Sequence, residues 1–114
     1  MNHNLVQDWL ELPWKSTRPD VTVGVLGSRI VPKGADVLNV TLTRVEPKGE
    51  FSVHADDYNH IFLFLEGKGE GRLGDESYEI RPGLIVSVPA GQSHGYRNTN
   101  DSDIILLTIN YSDI

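Results

Sequence analysis

The stretch that decides the fold spans residues 83–98 and reads GLIVSVPAGQSHGYRN. Gly83 follows Pro82, a strong turn dipeptide, and Leu84, Ile85, Val86 and Val88 form a β-branched, apolar run. Pro89 and Gly91 then stop that strand and reverse the chain. His94 therefore opens the returning strand, with Tyr96 and Asn98 on its face by the two-residue repeat. A histidine placed this way points into a sheet or barrel, which makes it a candidate metal ligand.

Further donors lie about one hairpin earlier, in residues 51–60, FSVHADDYNH. His54 and Asp56 are two apart, so an extended backbone puts both on one face. His60 opens the apolar strand 61–65, which ends at Glu66-Gly67. With His94 these residues make three imidazoles and one carboxylate, a mixture suited to iron(II), manganese, nickel, copper or zinc. Asp56 either ligates or accepts a hydrogen bond from a ligand, and Asp57 and Tyr58 stand beside it as substitutes. The Asp56-Asp57 pair also reads as a solvated turn, and any one histidine alone reads as an ordinary hydrogen-bonded residue. The shared face is what sets the group apart. His3 belongs to no spacing pattern and is expected to be solvent-exposed in a frayed terminus.

These residues carry a resemblance to the cupin superfamily. Its second motif runs glycine, five residues, proline, one, glycine, two, histidine, three, asparagine, and Gly83, Pro89, Gly91, His94 and Asn98 match every position. Its first motif is matched in order by Gly49, His54 and Gly67, with four rather than five residues after Gly49. Asp56 stands where the second histidine of that motif belongs, and His60 where the glutamate belongs. A histidine at the glutamate position resembles the small single-domain (type-2) cupins with a four-histidine manganese or iron centre. The resemblance covers roughly residues 37–110. It implies a metal site of His54, Asp56, His60 and His94 holding one divalent transition metal. It also implies a homodimer, since small cupins are commonly dimers.

Strands are expected at 21–26, 37–45, 60–65, 69–73, 77–80, 84–88, 94–98 and 103–110. Turn residues punctuate them at Pro47-Lys48-Gly49, Gly74-Asp75 and Arg81-Pro82-Gly83. Short, evenly spaced strands argue an all-β antiparallel barrel or double-sheet roll rather than a βαβ fold, and the resemblance implies a double-stranded β-helix, or jelly roll. Residues 1–20 read as an N-terminal extension packed on the barrel or a dimer partner, and 21–114 as the single barrel domain. Within the extension, Leu5, Val6, Trp9 and Leu10 share a helical face before Pro13, with an extended lead-in as the alternative. Trp9 and Trp14 need burial, partly against a second subunit.

Alternation places Phe62 and Phe64 on the face of His60, and Tyr96 on that of His94. Ile104, Leu106 and Thr108 share the inner face of the last strand. By the resemblance, Thr41 and Thr43 point inward as well. The expected pocket is thus aromatic and aliphatic (Phe62, Phe64, Tyr96, Leu106) with a few threonines, although the same apolar residues read equally well as core. Both faces are apolar around residues 104–107, so that strand is expected to be covered outside too.

Composition narrows the class. The 114-residue chain is 39% hydrophobic, has eleven glycines, six prolines and no cysteine, and carries a formal charge of −6. Lacking a basic cluster, it is not expected to bind nucleic acid, and no apolar run is long enough to span a bilayer. No secretory signal pattern opens the sequence, and a cysteine-free chain suits the cytoplasm. Gly67-Lys68-Gly69-Glu70-Gly71 lacks the ending of a phosphate loop and reads as a hairpin. Ser93 has no nucleophile-elbow surroundings.

Three functions fit. A metal-dependent, dioxygenase-like oxidoreductase acting on a small, partly apolar molecule is favoured, with the metal as Lewis acid or redox centre. A non-redox isomerase, epimerase or lyase on a sugar or carboxylate comes second, with Tyr96 or Asp57 as its base. The third is a ligand-binding module without catalysis.

Overall fold

A computed structural model describes residues 9–29 and 39–112. Among the described residues nine strands follow a short 3₁₀ turn (Trp9–Glu11): β1 (Lys15–Ser16), β2 (Thr22–Arg29), β3 (Asn39–His54), β4 (Asn59–Glu66), β5 (Gly69–Leu73), β6 (Glu76–Ile80), β7 (Ile85–Val88), β8 (His94–Arg97) and β9 (Ile104–Tyr111). Every pairing is antiparallel, and the main path runs β6-β5-β8-β3-β9-β4-β7, with β2 added on β3 and β1 on β2. The sheet curls on itself into the expected all-β jelly-roll barrel.

Strand β3 organises the barrel. Its first half, from Asn39 to Val45, pairs with β9, and its second half, from Glu50 to His54, pairs with β8. The expected turn at Pro47-Lys48-Gly49 is instead a bulge within one 16-residue strand. There the register against β2 jumps from Val25↔Val45 to Val23↔Glu50, and Lys48 adopts a φ of 67°. Extra residues on one strand bend it sharply without ending it. Asn98 ties the bend down: its amide nitrogen donates to the Val45 carbonyl at 3.0 Å and to the Ser102 carbonyl at 2.7 Å. Its backbone exchanges hydrogen bonds with Lys48 and Gly49. Chain groups of Val45, Lys48 and Gly49 at the bend thereby gain partners.

The closed end of the barrel holds the core. Val25, Val45, Phe64, Ile80, Val88, Ile104 and Leu106 are each almost fully buried. Alternation accounts for this: Val86 and Val88 point in while Ile85 is 63% exposed. On the outer face Leu42 and Ile105 are also buried. Leu10 and Trp14 of the N-terminal segment border a groove there with Arg44 and Asp103, which form an ion pair at 2.7 Å. The chain's own lead-in thus supplies part of the cover expected over β9. Of the anticipated helical face the described residues include a 3₁₀ turn at Trp9–Glu11, after which Pro13 stops helical continuation and β1 extends along β2. Leu5, Val6 and His3 lie outside the described residues, as does the side chain of Trp9.

Candidate metal centre

Three strands and the link between two of them bring four side chains together. His54 ends β3 and His94 opens β8, and the two are direct cross-strand partners with ring centroids 4.5 Å apart. His60, the second residue of β4, has its ring 4.7 Å from that of His94. Asp56 lies in the link between β3 and β4. Its carbonyl accepts from the Gly91 amide at 2.8 Å, and the Asn59 side-chain oxygen accepts from the Ala90 amide at 2.9 Å. The Pro89-Ala90-Gly91 turn therefore clamps the acidic link, with Gly91 at a φ of 84° that favours glycine.

Asp56 is the hub. Its Oδ2 lies 3.0 Å from His54 Nε2, 3.0 Å from His60 Nε2 and 3.8 Å from His94 Nε2. Donor atoms of His54, Asp56 and His94 all fall within 4.8 Å of one another. With metal–ligand bonds of about 2.1 Å, adjacent donors on one ion stand roughly 3.0–3.4 Å apart; the contacts of Asp56 with His54 and His60 match that spacing, that with His94 is longer, and His60 stands outside the mutually close set.

The far side of each ring strengthens this reading. His54 Nδ1 donates to the Ser52 carbonyl at 2.6 Å and His94 Nδ1 to the Gln92 carbonyl at 2.9 Å. His60 Nδ1 faces the Asn110 side-chain oxygen at 2.7 Å. A carbonyl can only accept, so Nδ1 carries a hydrogen there, and Nε2 is left either to donate a proton to the Asp56 carboxylate or to present a lone pair to a cation. Lone pairs aimed at a carboxylate oxygen repel unless a proton or a cation lies among them. The donor set therefore fits a divalent ion. Burial alone would raise the Asp56 carboxyl, but the hydrogen bond with His60, the field of His54 and the Arg18 guanidinium together hold it below its ordinary value. Burial depresses His94, which favours its neutral, ligating form.

A cavity of about 200 Å³ opens beside these donors. Phe51, Tyr58, Phe62 and Tyr96 form an aromatic wall, and Thr41, Thr43, Thr108, Asn39 and Asn110 form a polar wall from β3 and β9. The Thr43 and Thr108 hydroxyls pair at 2.9 Å. Burial raises the Tyr96 phenol strongly, so it stays protonated. Phe62, Tyr96, Thr41 and Thr43 line the cavity. Phe64 and Leu106, expected in the wall, are instead fully buried and absent from the lining. Alternation assigns a face but not a depth, and one repeat further along β4 or β9 leads from the cavity into the core. The apolar lining is consequently all aromatic. Asp57 is exposed and borders a separate groove.

Arg18, Phe51 and Asn110 went unread in the sequence. Arg18 Nη1 meets Asp56 Oδ1 at 3.2 Å, on the side away from the histidines. It belongs to no motif, and only the fold of the extension carries it to the cavity. Phe51 could not be assigned a face because the strand was expected to stop before it. Asn110 offered a readable signal, since it follows Thr108 at the two-residue repeat.

The cupin domain family matches residues 41–110. A 5-nitrosalicylic acid 1,2-dioxygenase from Bradyrhizobium sp is 29% identical over 65 residues, which are 57% of this chain. The chain spans 31% of that relative's length. The polyketide cyclase RemF from Streptomyces resistomycificus superposes with a TM-score of 0.83 at 20% identity, over 95% of this chain and 79% of RemF. A predicted oxalate decarboxylase from Thermotoga maritima gives 0.83 at 18% identity, over 95% of this chain and 99% of the other. Such identities speak for the fold alone. With the family matched over most of its barrel, and with both motifs on the strands that meet at Asp56, this chain belongs to the cupin family.

Proposed function

We propose that His54, Asp56, His60 and His94 hold one divalent transition metal and that the chain is a metal-dependent, dioxygenase-like oxidoreductase acting on a small aromatic molecule. The observation that carries this is the convergence of histidine Nε2 atoms on Asp56 while their Nδ1 atoms are engaged elsewhere. The relative named as a 1,2-dioxygenase supports the oxygen chemistry. Iron, manganese, nickel, copper and zinc all suit this donor set, and the bound ion supplies Lewis-acid or redox chemistry.

The chain's own residues do the rest. Phe51 and Phe62 pack against a flat substrate and exclude water from its faces, while Tyr96 donates its phenolic hydrogen. The paired hydroxyls of Thr43 and Thr108 orient a substrate oxygen. Metal analysis of unsupplemented protein, with His94→Ala as control, tests the site. Oxygen consumption by iron-loaded protein over phenols, diketones and thiols tests the reaction; no uptake with any of them counts against it.

The polar wall from Asn39 to Thr108 favours one second reading, a non-redox isomerase or lyase on an oxygen-rich substrate. Turnover with zinc in the absence of oxygen would select it. It ranks lower because Asp57 lies outside the cavity and Tyr96 is held protonated, which leaves no evident base. A pure ligand-binding module would show tight ligands in thermal-shift screens without turnover. A homodimer is part of the proposal, supported by exposed Leu10, Val23, Val53 and Ile85 and tested by light scattering.

A further inference from the structure

Arg18 is the one cationic side chain lining the cavity among the described residues, and Asp56 is the one anionic one. At 3.2 Å they offset each other. A divalent ion on the histidine cluster, the reading proposed above and on which this inference rests, leaves the cavity positive. That holds even when Asp20 is counted, which pairs with Arg18 from a solvent-exposed position outside the wall. Uncompensated positive charge in a partly enclosed space attracts an anion, and a neutral ligand cannot relieve it.

Arg18 is built into its place but is not saturated. It has a φ of 45°, a left-handed conformation unusual for a residue with a side chain, and the Thr22 hydroxyl secures it by donating to the carbonyls of Thr17 and Arg18. Its bonds from Nη1 to Asp56 and from Nε and Nη2 to Asp20 run 3.2–3.3 Å, and the Tyr58 side chain is a further partner. Charge-assisted hydrogen bonds are usually about 2.7–2.9 Å, and a guanidinium has five N–H groups to give. A ligand carboxylate is the partner such a fork accepts best. Independently, Asn39 Oδ1 is buried in the same wall with no hydrogen-bond partner. A buried acceptor in that state calls for a donor. Size fixes the rest: an engineered cavity of about 150 Å³ admits benzene, so 200 Å³ takes one substituted ring beside the aromatic wall.

We propose that Arg18 anchors the carboxylate of a small aromatic acid, and that Asn39 accepts a hydrogen bond from a hydroxyl or amino group on the same ring. Arg18 is then the residue that makes the cavity selective for acids over their neutral counterparts.

The test is calorimetric and needs no turnover. Zinc-loaded protein is titrated with 2-hydroxybenzoate, benzoate and the neutral isostere 2-hydroxybenzamide, with zinc stoichiometry measured on each variant. Wild type should prefer 2-hydroxybenzoate over the amide by about tenfold or more, as a hydrogen-bonded charge pair allows. Arg18→Gln should erase that ratio, Arg18→Lys should keep part of it, and Asn39→Leu should narrow only the margin of 2-hydroxybenzoate over benzoate. Equal affinities for acid and amide in zinc-bearing wild type, or an unchanged ratio in Arg18→Gln, would overturn the inference while leaving the metal reading intact. Failure of wild type to take up zinc would sink the metal reading instead. In metal-free protein, where Asp56 offsets Arg18, the preference should shrink in wild type, and an undiminished preference there would overturn the charge argument. Should Arg18→Gln unfold, the partial ratio in Arg18→Lys decides.

Discussion

Asn98 donates to the carbonyl of Val45 across 3.0 Å, at the residue where β3 leaves β9 and bends toward β8. The asparagine of the second motif therefore acts on architecture: it holds the bend that delivers His54 to His94. Its own side-chain oxygen accepts from the Asn100 amide at 2.9 Å, so both ends of the amide are used in a buried place.

Asn98→Ala should therefore destabilise the fold by about 2–3 kcal/mol, because it leaves buried carbonyls without donors. Urea unfolding measures this. Refolded Asn98→Ala should still bind metal at a stoichiometry near that of wild type, since no ligand is lost; complete loss of uptake by folded variant would instead make Asn98 part of the site.

Asn110 receives the Nδ1 hydrogen of His60 and thereby orients that ring. Asn110→Leu should weaken metal affinity by about 10–100-fold, the usual effect of losing a partner behind a ligand, with little change in thermal stability of the metal-free protein. Competition against a coloured chelator reads the affinity. His54→Ala and His94→Ala should lower it further.

Acid should destabilise the metal-free protein in two windows. Burial depresses His94 in the folded state, so below its ordinary value near 6.5 the unfolded chain takes up the proton first. Stability is full above that pH and falls as the pH drops through the lower folded value. The Asp56 carboxyl is depressed too, so its contribution is present above its ordinary value of 3.8 and is lost as pH falls through its folded value. Urea midpoints measured from neutral to mildly acidic pH should decline, and in His94→Ala the upper step should disappear. A flat profile above pH 5 would count against a neutral, buried His94.

Phe64 and Phe62 separate core from cavity on one strand. Phe64 is fully buried, and Phe64→Ala should cost about 3–5 kcal/mol through lost packing and a void. Phe62 lines the cavity, so Phe62→Leu should change stability by less and ligand affinity by more. Parallel denaturation and calorimetry of the two variants settles the division.

Short-range patterns were legible. The Pro89-Ala90-Gly91 reversal, the strands on either side of it and the shared faces of His54 with Asp56 and of His60 with Phe62 follow from turn chemistry and a two-residue period, which need only neighbours in the chain. The barrel class was readable for that reason, as were the candidate donors that meet at His54, Asp56 and His94. Three features were decided by tertiary structure alone. Pro47-Lys48-Gly49 looks like a turn, and it becomes a bulge because β8 and Asn98 supply partners for the strand beyond it. Phe64 and Leu106 carry the same alternation as cavity residues, and only the depth of the barrel sends them to the core. Arg18 reaches Asp56 across 38 positions of sequence. No local period encodes such a meeting, since it depends on how the closed sheet draws the N-terminal segment over its open end.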